Sequence, residues 1–106
     1  MEWLDPWWST EEQTEEFRET FLRQLRHEVH PQHEMFGLPA RVIGRGNGDD
    51  ALFEILDGSS RVAIVHLVWQ GPQQPPWPAT SIYLSLQAFV DERMKPEHEE
   101  WVAADN

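Results

Sequence analysis

The sequence predicts an α+β fold: an N-terminal helix, an antiparallel four-stranded meander and a C-terminal helix, in a single acidic domain of 106 residues. Three observations lead there. Apolar residues keep helical spacing between Phe17 and Val29, the period switches to two after residue 40, and helical spacing returns after Ser85. The connections between the alternating runs, "GNGDD" and "DGSS", are short and rich in residues that tolerate positive φ, which implies hairpins. One helix, several hairpin strands and a closing helix is the order expected of helices packed on an antiparallel sheet.

In the first helix, Phe17, Phe21, Leu22, Leu25 and Val29 form a stripe on one face. Ser9 or Thr10, followed three residues later by Glu12 or Gln13, supplies a capping box in either register. Acids fill the early turns and Arg23, Arg26 and His27 the late ones, which suits the helix dipole. Arg18 falls inside the apolar stripe, so its stem should lie on the core while its head reaches an acid at the margin. Pro31 stops the helix near His30.

Arg41 to Arg45, Ala51 to Leu56, Arg61 to Trp69 and Ser81 to Leu84 read as strands. In "RVAIVHLVW" both alternating sets are apolar, so this strand belongs inside a sheet covered on both faces. The segment 1–8, with Trp3, Trp7 and Trp8, is the candidate to cover what one layer of helix leaves open. Ser85 caps a second helix carrying Leu86, Phe89, Val90 and Met94, and Pro96 starts a separate terminal turn that lays Trp101 onto the body.

Nineteen acidic residues against eight basic ones give a formal net charge of −11. That surface repels phosphate backbones and anionic headgroups, so nucleic-acid and membrane binding are disfavoured and a basic protein is the partner electrostatics would help. No cysteine is present, which removes disulfides and thiolate metal sites and fits a reducing compartment. "MEWLDPWW" lacks the basic start and apolar run of a secretory leader, and no long apolar run follows, so a cytoplasmic protein is expected.

The stretch from Asp50 to Trp101 combines an "HLxW" strand, a "PWP" loop and an "FVxxRM" helix, and in this it resembles a family of short bacterial proteins with no assigned activity. The resemblance implies a shared fold and a shared constraint on His66, Trp69, Pro76, Trp77 and Pro78.

Those five residues are the candidate binding residues. "WQGPQQPPWPAT", Trp69 to Thr80, holds four prolines and no charge. Its stiffness suits a strap crossing the sheet end, and it would equally hold Trp77 out as a preorganised anchor. His66 has only apolar neighbours on its strand face, which favours a buried histidine tying down the loop over one lining a pocket. His27, His30 and His33 recur every third residue, but Pro31 interrupts the helix between them, so a solvated helix end is favoured over a metal site and no cofactor is expected. Ser81, Ser85 and Asp91 are available to His66 in principle, yet no nucleophile elbow, phosphate loop or HExxH pattern surrounds them. "GRGNGDD" lies between strands and so fails as a dinucleotide motif. The leading expectation is a non-enzymatic acidic interaction module that binds or inhibits a basic protein. The rivals are a small-ligand or weak hydrolytic site at His66 and the loop, and a structural homodimer that buries the N-terminal tryptophans.

Overall fold

The computed structural model describes residues 1–104. It is an α+β arrangement in which one antiparallel sheet separates two apolar layers. Strands β1 (Trp8–Ser9), β2 (Ala40–Arg45), β3 (Asp50–Ile55), β4 (Val62–His66) and β5 (Thr80–Tyr83) pair in sequence order. Helix α1 (Glu15–Glu28) covers one face. The other face is covered by the N-terminal segment with α2 (Leu86–Phe89) and a π-helical segment (Val90–Met94), which continues into α3 (Lys95–Ala104).

The sheet has five strands where the sequence predicts four. The additional strand is β1, whose Trp8 and Ser9 pair with Arg45 and Gly44. A two-residue strand has no alternation to detect and exists only because β2 offers it an edge.

Both faces of the two central strands are buried. Ala51, Phe53, Ala63 and Val65 meet Phe21, Leu25 and Val29 of α1, while Leu52, Val62 and Ile64 meet Trp7, Phe89 and Met94. Trp7 is fully buried, edge-on to Phe89 at 5.0 Å between ring centroids, and its indole N–H donates to Glu97 Oε2 at 3.2 Å. Of the other two N-terminal tryptophans, Trp3 is half-buried on this face, whereas Trp8 leans toward Phe17 on the α1 face and stays partly exposed. Glycines in β2 make room for these rings: a Cβ on Gly44 would lie 2.5 Å from Trp3, and one on Gly46, just past the strand, 2.8 Å from Trp7.

Several local expectations are corrected. Helix α1 is capped by Thr14, whose hydroxyl accepts from Phe17 N at 3.1 Å, and not by Ser9 or Thr10. Ser9 ends β1, and Thr10, just past the strand, is buried against β2, with its hydroxyl donating to Val42 O and its N–H to Ile43 O. The Arg18 guanidinium reaches carbonyls, not an acid, donating to Gln13 O at 2.7 Å and Thr10 O at 3.2 Å, and so stitches the turn leading into the helix. Pro96 does not open a separate turn. The chain absorbs it in one continuous helical run by widening to a π turn just ahead of it, where Lys95 N bonds Val90 O, five residues back. Helix α3 buries no residue, so Trp101 stays exposed; the helix is held by Glu97 and by His98 Nδ1, which donates to Asp5 O at 2.7 Å.

Ser85 caps α2 through Ala88 N. In the turn between β3 and β4, hydrogen bonds from Ser59 and then pairing with Arg61 hold the Asp57 carboxyl down to about 2. Among the described residues no helix is long and apolar enough to cross a membrane.

The Trp7 packing generates a prediction. Gly46→Ala should destabilise the protein by about 1–3 kcal/mol, because the added methyl meets a ring that the core holds on every side. Urea unfolding followed by tryptophan fluorescence measures this, and an unchanged midpoint would show that the Trp7 seat is looser than described.

Candidate functional site

The loop from Trp69 to Thr80 is held at both ends by side chains from α1 and the segment that follows it. At the first end stands Glu28, the last residue of α1, with 0% of its surface exposed. It lies seven residues beyond Phe21 and three beyond Leu25, in the middle of the apolar stripe, so the helix aims its carboxylate at the sheet. There it meets the chain leaving β4. Glu28 Oε1 accepts from Val68 N and Oε2 from Trp69 N, both at 2.8 Å, and Gln24 Nε2 donates to Oε2 at 2.7 Å. Three donors make this buried charge tolerable. The Glu28 main-chain carbonyl adds a bond from Gln73 N, and Gln24 Nε2 also donates to Gln70 O.

This clip explains why β4 ends at His66 and not at Trp69. The N–H groups of Val68 and Trp69 turn from the ladder to the carboxylate, and Trp69 adopts φ +62°. A left-handed conformation costs a bulky L-residue roughly 1–2 kcal/mol, so something must hold it there. Two consecutive N–H groups converging on one anion are that constraint. The Trp69 ring stands edge-on to Phe21 at 5.1 Å and remains 39% exposed.

At the second end stands His33. It is 7% exposed, and its ring spans two backbone groups: Met35 N donates to Nδ1 at 3.0 Å, and Nε2 donates to Pro78 O at 2.9 Å. Since Nδ1 accepts, the proton belongs on Nε2. The Thr80 hydroxyl also donates to Pro78 O. Between these anchors the peptide bonds Pro75–Pro76 and Trp77–Pro78 are cis, Trp77 N closes a turn onto Gln74 O, and the Trp77 indole is 54% exposed. Pro76 is exposed and Pro78 is buried.

The expectations for the histidines are therefore reversed. His33, expected at a solvated helix end, is the buried tie. His66, expected to be buried, is exposed at the other face of the sheet, with Nδ1 2.8 Å from Asp50 Oδ1. Asp50 is the cross-strand neighbour of His66, and its second oxygen stands 3.5 Å from Arg93. Arg93 Nε donates to Glu97 at 2.8 Å, the same oxygen that accepts from Trp7. Partial burial works against the Arg93 charge, but the Glu97 carboxylate and the Tyr83 oxygen outweigh it and raise its pKa above the ordinary value. His66 thus heads a polar chain running to the N-terminal core, on the face away from Trp69. No hydrogen bond joins Ser81 or Ser85 to it among the described residues, and the Ser85 hydroxyl is occupied by Ala88 N. His27, His30 and His33 do not converge: His33 faces Pro78, while His30 Nδ1 accepts from Gln32 N.

Sequence reasoning singled out the loop of Trp69 and Trp77 and missed the two side chains, Glu28 and His33, that hold its ends. The signal for Glu28 was present, a carboxylate inside an apolar helical stripe. His33 had no such signal, since it lies in an irregular link.

The anchors predict an ordering of mutant stabilities. Glu28→Ala should cost about 1–3 kcal/mol, leaving two part-buried N–H groups without their acceptor and removing a fully buried side chain, and His33→Ala about 1–3 kcal/mol. His66→Ala should stay within about 0.5 kcal/mol of the wild type, as expected for an exposed pair. Thermal melts of the three variants measure this, and a His66→Ala protein as unstable as His33→Ala would contradict the assignment.

Comparison of the chain with family models, with curated proteins and with solved structures returns no match, so the functional reading rests on the geometry of these residues.

Proposed function

We propose that the protein is a small, acidic, non-enzymatic interaction module that engages a basic protein partner through the Trp69–Thr80 loop. Trp77 and Trp69 are the anchors, Pro76 lies beside them at the contact, and Pro78 positions the loop through His33. The observation that carries this reading is Trp69: a buried carboxylate holds its backbone in an unfavourable conformation, and the indole so placed is still half open to solvent. Backbone strain maintained at an exposed aromatic is more readily understood as display than as packing. Preorganised tryptophans lose little freedom on binding and are over-represented among the residues that dominate interfaces. A net charge of −11 would steer a cationic surface toward them. A cytoplasmic setting belongs to the same proposal.

A second reading, favoured by the exposed imidazole held on Asp50, takes His66, Asp50 and Arg93 as a small-ligand site. The two sites lie on opposite faces and separate by mutation.

In affinity capture from the native host, the wild type should retain a basic protein at low salt. Trp77→Ala should weaken that capture by about tenfold or more while moving the melt by less than about 0.5 kcal/mol. His66→Ala should leave capture intact. Raising the salt should slow association, since screening shortens to about 8 Å at physiological strength. A partner retained equally by wild type and Trp77→Ala would remove the loop from the interface, and a binding rate indifferent to salt would remove the electrostatic part.

A further inference from the structure

Strand β5 is an outer strand of the sheet, and its free edge carries an unused set of backbone groups. In an antiparallel ladder alternate residues exchange hydrogen bonds with the neighbouring strand, and the residues between them turn N–H and C=O away. His66 N donates to Ala79 O at 2.9 Å, in phase with the register Val65↔Thr80, Ile64↔Ser81, Ala63↔Ile82 and Val62↔Tyr83. That phase assigns Ala79, Ser81 and Tyr83 to β4 and points the main-chain groups of Thr80, Ile82 and Leu84 outward. Among the described residues none of these outward groups has a main-chain partner beyond the ladder.

Sheet edges are ordinarily protected by charge, proline, a bulge or brevity. The opposite edge is blunted in the last way, since β1 has two residues. Within β5 there is no proline, no register shift and no charge. It lies inside the longest run of the sequence without Asp, Glu, Lys or Arg, Val62 to Val90, and directly after it Leu84 is 82% exposed.

We propose that β5 pairs with β5 of a second copy of this chain, antiparallel about a two-fold axis, joining two five-stranded sheets into one. Ile82 would lie opposite Ile82 of the second copy and Thr80 opposite Leu84, so the outward groups of one strand meet those of the other in register. The charge distribution selects this occupant over a basic segment. A cationic strand would find no acid along β5, whereas two chains of net charge −11 can approach each other best along a stretch that carries none. A self-complementary patch of this kind is what a two-fold interface requires. A four-residue strand buries little area, so the pairing is concentration-dependent. The inference is independent of the basic-partner reading and carries the opposite salt dependence.

The test is sedimentation of the full chain together with amide hydrogen exchange. The average mass should rise from 12.5 kDa toward twice that value with concentration, and further in about 0.5 M sodium chloride, where repulsion between copies is screened. The Ile82 amide should exchange more slowly as the mass rises. Leu84→Glu, at a position outside both cores, should keep the fold and weaken association by about tenfold or more, because it sets a carboxylate without a cationic partner against Thr80 of the second copy. Leu84→Thr should still associate. A mass that stays at 12.5 kDa up to about millimolar concentration at high salt overturns the proposal. So does association that Leu84→Glu leaves unchanged, or an Ile82 amide slowed only by a basic partner.

Discussion

The Glu28 carboxylate is the interaction on which the candidate site depends. It joins the end of α1 to the exit of β4, and through its carbonyl to the middle of the proline loop, so one residue closes three segments upon each other. An ionised group with no exposed surface would be costly without full hydrogen bonding, and Val68, Trp69 and Gln24 supply it. The arrangement is asymmetric in its energetics. Intact, it contributes modestly beyond the cost of desolvation; broken, it takes the acceptor from two part-buried main-chain donors at once. The left-handed Trp69 backbone is the geometric consequence, since both consecutive N–H groups must reach the same carboxylate.

A second constraint is that the sheet is covered twice, by unlike layers. One is a conventional amphipathic helix. The other is assembled from the two ends of the chain, with Trp7 inserted between the sheet and Phe89 and its indole N–H fixed by Glu97. Neither end forms this layer alone, because the N-terminal segment is too short and the C-terminal helix interrupts its own register with a π turn ahead of Pro96. The glycines of the β2 region are part of the same solution: they let indole rings lie against the sheet where any side chain would push them off. The two layers also divide the surface. The α1 layer orders the loop that displays Trp69 and Trp77, and the opposite layer carries the polar chain from Trp7 through Glu97, Arg93 and Asp50 to His66.

Much of the fold was legible because it is written in local period. Helix α1, the three hairpin strands, β5 and the Ser85 cap follow from spacing and turn chemistry, which need only neighbours along the chain. The doubly apolar pattern of β4 likewise announced two covered faces. The candidate site was legible only in part: Trp69 and Trp77 stood out by composition, but the histidine assigned to tie their loop was the wrong one. His66 has apolar neighbours at i−2, i−4 and i+2, and burial was inferred from them; in the fold it is the last residue of its strand, where the face opens toward solvent and Asp50 waits across the ladder.

What the sequence determined by itself is therefore the α+β class, helix α1, the four longer strands in antiparallel order and the acidic, cysteine-free composition, since periodicity, turn residues and charge are properties of short windows or of composition. What only the tertiary structure decided is which polar side chains are buried and what they hold: Glu28 on Val68 and Trp69, His33 on Pro78, Thr10 on Val42. Each of these bonds joins residues at least thirty positions apart. A buried polar group is stable only where a distant backbone segment presents its complement, and that complement exists only once both core layers have closed on the sheet.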